Sequence, residues 1–505
     1  MSASRKIAAR AIGIACACLL AVSTAKAGGR FVAPQEASIA VDSAAHPAAK
    51  RADRKAPAPK RPEFRPLRFD EQWPDLSGAR QGWNDALKHI PLAPHDLAWV
   101  TFGGQLRWRE ESVRDFQFFA APTMQNDFGV SRTLLSGDLH VGTATGPYLR
   151  GFAEMRDAQG YDRRLPGGVR SNEEDRHDWQ NSFVEGGWGA TGIRLGRQDV
   201  ILGRERLVGI SDWTNSRRSF DGLRVQSVLG PLAFDVLDAH VMAVRMDLPN
   251  RPDSTTRFRY IAVGAAQTAT ARRSFVPATW QLYVLQLDAV LGPRHERTTY
   301  GSTAQWKAPV FGASGAQASF EYEAAEQRGW QGDKVINAWF FATEAQVVFR
   351  RAPGAPTLIA GYDKASGDKD PNDTQAGTFT ALYASAHSHG GIADVFGRGN
   401  LAELRGGVTA DAASWLDLGL VTRSFSRVEL ADGVYNKQNT LFRAASGNTA
   451  RDVGVETDFT ATVKLGRNLR LLGGIAEVDP GRFMKQTPGG GGVQRFSFAG
   501  TTITF

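Results

Sequence analysis

Arginine side chains recur on one face of several alternating stretches of the sequence, and they are suited to holding anions. A guanidinium group stays charged at physiological pH and binds a carboxylate through two parallel hydrogen bonds. In VTFGGQLRWREES, for example, Arg107 and Arg109 share one parity while apolar side chains share the other. Through weak, repeated contacts of this kind, an acidic solute could move from one arginine to the next along a water-filled lumen. The candidate contact residues on such faces are Arg107, Arg109, Arg132, Arg150, Arg194 and Arg224.

Acidic residues share some of these faces and leave a second interpretation open. Glu111, Asp138 and Glu154 lie on the same parity as the arginines of their stretches. We include Glu154 among the candidate lumen residues, because it stands on the arginine face of YLRGFAEMR. The sequence therefore allows two roles for these faces: binding of an acidic solute, or mutual pairing that supports the cross-section of the lumen.

A further group of arginines falls between two alternating stretches, around residues 193–196 and 223–226. Three acidic residues, Asp199, Glu205 and Asp212, are near enough in the sequence to pair with them. The first of these arginines also continues the parity of Ile193 and Leu195, which is the apolar one. We therefore leave open whether the segment forms a constriction in the lumen or an exposed, ion-paired loop. Its arginines are Arg197, Arg204, Arg206, Arg217 and Arg218.

Such faces require elements in which successive side chains point to opposite sides. Apolar and polar residues alternate over the thirteen residues Val453–Leu465, whereas an ordinary strand has about five or six. A strand with one apolar and one charged face needs lipid on one side and water on the other. Beyond residue 27, no run approaches the roughly 18 consecutive apolar residues of a spanning helix. We predict an all-β fold, a transmembrane antiparallel β-barrel of the outer-membrane type.

The first 27 residues have the three regions of a secretory signal peptide. Basic residues including Arg5 precede an apolar run at 11–22, and small residues at Ala25 and Ala27 follow it. We expect cleavage near Ala27. Both cysteines of the chain, Cys16 and Cys18, lie within this segment. The mature chain would then contain no disulfide, cysteine ligand or cysteine nucleophile.

The remaining chain divides by composition into three parts. Residues 28–66 are rich in Ala, Pro, Lys and Arg, which predicts a disordered, basic periplasmic segment. Residues 67–98 predict a short N-terminal segment with a helical turn, or a plug, and residues 99–505 predict the barrel. The net charge of +8 draws partly on the basic segment and is therefore weak evidence about partners. We expect no nucleic acid partner.

Several stretches resemble the alginate export family of outer-membrane porins. They are RLGRQDVILGRERLVGISDWTNSRRSFDGLRV at 194–225, SRTLLSGDLHVG at 131–142, LRGFAEMRD at 149–157 and the region 361–401 that begins GYDKASGDKDPND. Together they span most of residues 100–505. The resemblance implies a monomeric barrel of eighteen strands with short periplasmic turns, long outer loops and a lumen lined with Arg and Lys. It also implies passage of the anionic polysaccharide alginate out of the periplasm.

Chain length and the C-terminus are consistent with that implication. Eighteen strands of about 10 residues use about 180 residues, although sixteen strands also fit. The chain ends AGTTITF, in which Ile503 and Phe505 alternate with threonines. A terminal aromatic residue on such a strand is the feature that the outer-membrane insertion machinery reads. We therefore expect contact with this machinery and with outer-membrane lipid, in a Gram-negative bacterium.

Three classes of function remain. The first is a channel for anionic solutes, with an alginate-like acidic polysaccharide or its oligomers as cargo. The alternative is a general diffusion porin for small anions or sugars, and the sequence does not decide between export and uptake. An outer-membrane enzyme is a weaker alternative, because Asp138 and His140 share a face but no partnered serine accompanies them.

Two groups of possible metal ligands have simpler interpretations. Asp368, Asp370 and Asp373 supply the oxygen density of a calcium loop but lack the Gly and terminal Glu of an EF-hand, so we favour a solvated outer turn. His387 and His389 stand two residues apart without a recognisable third ligand. The sequence thus predicts neither a cofactor nor a metal site.

Overall fold

The computed structural model describes residues 61–505, apart from 79, 81, 144, 266–278, 291, 309, 386 and 388. The predicted signal peptide and most of the basic segment at 28–66 lie outside these residues. In the described part, no helix is long and apolar enough to cross a membrane. Its one α-helix, α1, is the five-residue Arg482–Gln486. Single 3₁₀ turns occur at Arg68–Asp70, Trp83–Leu87, Pro94–Asp96, Phe116–Phe118 and Pro122–Met124.

Eighteen strands of eight to seventeen residues form the wall of the described chain. Strands this long suit a tilted crossing of a bilayer, which takes about 9 to 11 residues. Their bounds are β1 Ala98–Arg114, β2 Asn126–Gly142, β3 Pro147–Tyr161, β4 Asp175–Trp188, β5 Thr191–Gln198, β6 Phe220–Leu229, β7 Leu232–Ala243, β8 Thr256–Ala265, β9 Thr279–Ala289, β10 His295–Lys307, β11 Ala316–Gln331, β12 Lys334–Phe349, β13 Thr357–Ala365, β14 Leu401–Ala413, β15 Leu416–Arg427, β16 Asp452–Leu465, β17 Leu469–Pro480 and β18 Gln494–Thr504. Shorter strands lie in the connecting segments at Ile90–Pro91, Arg251–Pro252, Gln375–Ala376, Val434–Tyr435 and Leu441–Arg443.

Each of these eighteen strands pairs antiparallel with its neighbours in the sequence, and β18 returns to β1. Gln105 on β1 is opposite Thr504 on β18, and the register continues to Arg114 opposite Arg495. The sheet is therefore closed and has no free edge. Closure is what lipid requires, because the bilayer core offers backbone groups no hydrogen-bonding partner. The predicted transmembrane β-barrel is confirmed, and of the two strand counts considered, eighteen is the correct one.

The outward face of the wall is apolar and exposed. Leu195, Leu404 and Ile475 are 64, 63 and 59% exposed, values that are natural for side chains in contact with lipid. On β16, Val455 points outward and is exposed, whereas the next residue, Glu456, points inward and is fully buried. The alternation predicted for this stretch therefore separates a lipid face from a lumen face.

Connections of different length distinguish the two ends of the barrel. At what we call the turn end, the described connections have two to eight residues, as at 189–190 and 308–315. At the opposite, loop end, the longest connections are residues 199–219, 366–400 and 428–451. We refer to the first two as the β5–β6 loop and the β13–β14 loop.

These two loops fold into the barrel rather than away from it. Leu207 and Val208 of the β5–β6 loop and Phe379 of the β13–β14 loop are buried in one apolar cluster. The same cluster contains inward-facing residues of the wall, such as Phe258 on β8 and Phe340 on β12. The loops therefore cover apolar surface on the wall from β6 to β13.

Residues 61–97 precede the wall and also enter its interior. Phe69 packs against Phe152 of β3 and Phe183 of β4, with ring centroids 5.5 and 5.3 Å apart. At the turn end, Trp83 packs against Phe505, with ring centroids 5.6 Å apart. The segment thus lines the lumen at the turn end.

Candidate permeation pathway

The arginines proposed from strand parity lie on neighbouring strands. Arg107 and Arg109 are on β1, and the others are on β2, β3, β5 and β6. All of them contact inward-facing groups or segments inside the barrel, and the structure therefore gathers them into one arc of the wall, from β1 to β6. Glu154 lies on the same arc, fully buried, and accepts a hydrogen bond of 3.0 Å from the Asn181 amide.

Four of the arc arginines have a carboxylate partner on the wall. Arg109 donates to Glu111 of its own strand at 2.6 Å, and the other three have partners on adjacent strands. Arg150 Nε and Nη2 donate to Asp138 at 2.8 and 2.7 Å. Arg194 donates to Glu185 at 2.6 and 2.7 Å. Arg224 donates to Asp235 at 2.6 and 2.9 Å. These pairs offset the positive charge locally. The partial compensation that the sequence suggests is therefore present on this part of the wall.

Arg107 and Arg132 hold the β5–β6 loop instead. Arg107 donates to the backbone carbonyls of Asp212, Trp213 and Thr214 at 2.7, 3.1 and 3.0 Å. Arg132 donates to the Asp212 carboxylate at 2.8 Å. A guanidinium that donates to carbonyls keeps its net charge, since a carbonyl carries none. Arg107 therefore anchors the loop and still contributes to the field of the lumen.

Asp212 is the acidic centre of this anchor. Burial alone would raise the pKa of its carboxyl group, but the guanidinium groups of Arg132 and Arg217 outweigh that effect and hold the pKa well below its usual range. The group is therefore a fixed negative charge at any physiological pH.

The β5–β6 loop carries its own arginines into the lumen. Arg206 donates to Glu321 of β11 at 2.8 Å, and Arg204 lies 3.1 Å from the other oxygen of that carboxylate. Arg217 pairs with Asp199, and Arg218 donates to the Gly209 carbonyl at 3.2 Å. The loop is thus ion-paired and also inserted into the lumen. It combines one feature of each of the two alternatives that the sequence left open.

Arg197, the first arginine of this group in the sequence, lies at the end of β5 and not in the loop. It keeps the outward parity of Ile193 and Leu195, as its position in the sequence suggests. Its guanidinium donates to the Asp178 carboxylate and to the Trp179 carbonyl, at 2.8 and 2.7 Å. Arg197 therefore ties together the rim of the barrel at the loop end and does not line the pathway described below.

The two inserted loops are hydrogen-bonded to each other across the lumen. Tyr383 N donates to the Leu207 carbonyl and Gly209 N donates to the Tyr383 carbonyl, both at 2.9 Å. Ser385 N donates to the Glu205 carbonyl at 2.9 Å as well. This pairing extends the cover over the apolar part of the wall. Open space remains beside the arginine arc, and a further cavity of about 610 Å³ lies between Gly203 and Arg204 of the β5–β6 loop and the wall from β6 to β11.

A cavity of about 400 Å³ opens at the turn end beside this arc. We call it the turn-end vestibule. Six arginines line it, together with only two acidic residues, Glu205 and Asp212. The arginines are Arg65, Arg68, Arg107, Arg109, Arg467 and Arg470.

A second cavity, of about 240 Å³, lies towards the loop end. Its charges nearly balance, because four basic side chains face three acidic ones. The basic residues are Arg109, Arg163, Arg170 and Lys437, and the acidic residues are Glu111, Glu173 and Asp394.

Arg109 and Trp213 line both cavities and mark the place where they meet. The Arg109 guanidinium lies over the Trp213 ring, 3.6 Å from its centroid. His387 of the β13–β14 loop stacks on the same indole, with centroids 3.8 Å apart and an angle of 5° between the rings. We call this group the waist. One wall residue and one residue from each inserted loop form it, so its width depends on both loops.

A model of the alginate export family matches residues 98–498, which cover every strand of the wall nearly to its end. The chain belongs to the alginate export family. Together with the closed barrel, this makes it an outer-membrane channel of the porin type, as the resemblance of its arginine-rich stretches implies. The family and its structural neighbours are channels and porins rather than enzymes.

Solved porin structures share the barrel of this alginate export family member. OccK8 (OprE) of Pseudomonas aeruginosa superposes with a TM-score of 0.53 at 12% identity, over 80% of this chain and 98% of that one. OccD3 (OpdP) of the same organism gives 0.54 at 10%, over 83% and 92%. OccAB2 of Acinetobacter baumannii gives 0.53 at 12%, over 80% and 98%. Identity this low shows the fold alone. No curated protein is significantly similar to the chain.

Several residues of the pathway in this alginate export family member were not among the candidates from the sequence. Arg470 could have been found, because it stands opposite the apolar parity of Leu469 and Leu471 on β17. Trp213 and His387 could not, since a loop has no periodicity that says whether it folds inward. Arg65 lies in the segment that the sequence predicts to be disordered.

The two groups considered as metal ligands have other partners. The Asp368, Asp370 and Asp373 carboxylates each accept a hydrogen bond from the backbone N–H two residues later, at 3.3, 3.0 and 2.6 Å. His387 lies 3.0 Å from the Asp394 carboxylate, and His389 contacts the Arg204 carbonyl at 2.6 Å. Among the residues that the structure describes, no three His, Cys, Asp or Glu side chains are grouped to hold a metal ion.

Proposed function

We propose that this protein is a channel for anionic solutes, in which the lumen arginines select the solute. The observation that carries the proposal is the turn-end vestibule next to the waist, which six arginines and two carboxylates line. Arg68 pairs with Glu71 and Arg109 pairs with Glu111, and the remaining arginines still outnumber the two carboxylates of the lining. Fixed positive charge in a narrow space raises the local concentration of anions, and salt screens the effect over about 10 Å at 0.1 M. The channel needs no catalytic group for this role, and we propose that it is not an enzyme.

An acidic saccharide is the first candidate for the cargo. The family is described by alginate export, and a uronate chain carries one carboxylate per sugar, which suits arginines repeated along a wall. The alternative is a porin for small anions or sugars. The two loops hydrogen-bonded across the lumen favour it, because they narrow the open cross-section of the barrel.

The proposal also covers the export, the oligomeric state and the membrane insertion of the chain. We infer that the signal peptide is removed near Ala27 and that the chain works as a monomer. We also infer that the insertion machinery reads the last strand, which ends at Phe505. In support, the Phe505 carbonyl accepts a hydrogen bond of 2.8 Å from Gly104 N, so that the terminal residue belongs to the seam of the barrel.

Reversal potentials across planar bilayers test the selectivity. A unit charge about 8 Å from the path changes the energy of an ion by about 0.5 kcal/mol in water, or roughly twofold in permeability. Arg470→Gln should therefore lower the anion-to-cation permeability ratio roughly twofold at low salt. Arg495→Gln is the matched control, since this arginine is exposed on the outer face and paired with Glu477 at 2.8 Å. Cation preference in the unmodified protein would overturn the proposal.

Current block by oligomers separates the two cargo classes. Uronate oligomers and neutral glucose oligomers of equal length should be compared at the same concentration. If the arginines bind carboxylates in transit, the charged oligomer should dwell longer, by about 1 kcal/mol or fivefold for each desolvated contact. Equal dwell times would leave the small-solute porin as the function.

A further inference from the structure

The aromatic ring of Phe69 occupies a built pocket inside the barrel. Phe152 and Phe183 both meet it edge-on, at interplanar angles of 81 and 86°. The Arg194 guanidinium lies 4.6 Å from the centroid of the Phe69 ring and 4.1 Å from that of Phe183. Phe69 is only 4% exposed. The pocket therefore holds a ring between two aromatic edges and a cationic face. We call it the Phe69 pocket.

The next residue brings a carboxylate to the same place. Asp70 lines a cavity of about 360 Å³ together with Arg65, Arg224 and Asp235, the carboxylate with which Arg224 pairs. It also interacts electrostatically with the charges of Arg194 and Arg150. The Asp70 carboxylate thus stands among arginines of the arc that were singled out as solute contacts.

Backbone carbonyls of the same segment take further guanidinium groups. Arg150 Nη2 donates to the Phe69 carbonyl, and Arg217 Nη1 donates to the Pro66 carbonyl at 3.1 Å. Residues 66–70 therefore present a ring, a carboxylate and carbonyl oxygens to the lumen. These are the groups by which an acidic solute with a ring would contact the same wall.

We propose that the Phe69 pocket is a binding site for carboxylates attached to a ring, and that residues 66–70 occupy it in place of the solute. The inference rests on the proposed function only in that the solute must be an anion that reaches the lumen. The ring binds between the Phe152 and Phe183 edges and beneath the Arg194 guanidinium, through aromatic and cation–π contacts. The carboxylate binds where Asp70 now lies, facing Arg224.

Competition follows from this arrangement. The N-terminal segment is part of the chain and its effective concentration at the pocket is therefore high, so that a free solute binds weakly until the segment leaves. A solute that displaces the segment also opens the turn end of the lumen. Aromatic acids and uronates both have a carboxylate attached to a ring. They differ in whether the ring that enters the pocket is aromatic or a sugar ring.

Current block by sodium benzoate and by sodium glucuronate tests the proposal in the full-length chain. The double variant Phe69→Ala, Asp70→Asn should lower the half-blocking concentration of the preferred anion at least fivefold. The matched control is Asp75→Asn, which removes an exposed carboxylate of the same segment that accepts hydrogen bonds from Ser77, and it should leave the value unchanged. A larger gain for benzoate identifies an aromatic acid, and a larger gain for glucuronate identifies a uronate. Benzyl alcohol, which has the ring without the charge, should not block.

Displacement can also be measured in the unmodified protein, without a variant that has to fold. Binding of the anion should free residues 66–70 and expose the bond between Arg68 and Phe69 to trypsin. We expect cleavage there to be at least fivefold faster in saturating benzoate or glucuronate than in chloride. Mass spectrometry of the new terminus at Phe69 would show it.

The outcomes separate this inference from the proposed function. Unchanged block in the double variant, or unchanged cleavage at Arg68, overturns the pocket as a solute site even if the channel remains anion-selective. Cation selectivity in the unmodified protein overturns the proposed function, whatever the cleavage shows.

Discussion

The wall of the barrel has two halves that treat the lumen differently. From β1 to β6, many inward-facing side chains are charged and bind one another or the carbonyls of inserted segments. From β7 to β13, many are apolar, such as Phe258, Tyr260 and Phe340, and they are buried beneath the inserted loops. Both halves meet lipid on the outside. The contrast teaches that the inward face of such a barrel follows what packs against it, which is charged and hydrogen-bonding groups on one side and the apolar side chains of inserted loops on the other.

The apolar half should be the more sensitive to loss of side-chain volume. Phe258 is fully buried and packs edge-on against Tyr383 of the β13–β14 loop, with ring centroids 5.0 Å apart. Phe258→Ala should reduce the free energy of unfolding by about 3 to 5 kcal/mol, since it leaves a cavity in a packed interior. Leu404→Ala is the control, because this residue is 63% exposed on the lipid face and lipid can fill the gap. Guanidinium unfolding in detergent, followed by tryptophan fluorescence, measures the unfolding free energy of both variants. Equal losses in the two variants would show that the apolar interior is no more sensitive than the lipid face.

The arginine half should instead be sensitive to loss of a charge partner. Arg217 pairs with Asp199, and both side chains are at most 2% exposed. Asp199→Asn should cost about 3 kcal/mol of unfolding free energy, because it leaves a buried guanidinium with less compensation. The exposed pair Lys464 and Asp417 is the control, and Asp417→Asn should cost less than about 1 kcal/mol. A small effect of Asp199→Asn would mean that water reaches Arg217 and that this half is looser than its contacts suggest.

Docking of the N-terminal segment beside the arginine half should depend on pH. Burial lowers the pKa of Lys88 from 10.5 to about 8, and its ammonium donates to the Phe102 carbonyl at 2.6 Å. The folded state therefore binds this proton less tightly than the unfolded state does, so stability should rise as the pH increases from about 8 to 10.5. We expect a gain of about 3 kcal/mol in this window for the unmodified protein. Lys88→Met should remove that gain, and a pH dependence that survives the substitution would place its cause elsewhere.

Much of the barrel and part of its pathway follow from the sequence. Alternation such as that of Val453–Leu465 is enough to predict a lipid face and a lumen face, and it correctly places Arg107, Arg132 and Arg194 on the inside. The rule works on β1 to β6 because water and charged groups fill the lumen there.

The same rule fails on the opposite half for a physical reason. On β8, Phe258 and Tyr260 point inward while Arg257 and Arg259 lie on the other parity. A prediction that places charged side chains inside the barrel would therefore assign the lumen face and the lipid face of β8 the wrong way round. Nothing local in the β5–β6 or β13–β14 loop says that it will fold inward and cover this wall. The waist, which needs both loops, was for that reason beyond the reach of alternation.

The seam between the first and last strands sets the order in which the molecule can be assembled. Gln105 and Thr504 pair across it although about 400 positions separate them, and contacts so distant in the chain form slowly. Until β18 has been synthesised and delivered, β1 keeps an unpaired edge, and the edge of an unfinished barrel can pair with the wrong chain. A truncation that removes only β18 would therefore be expected to leave an aggregation-prone open sheet rather than a smaller pore.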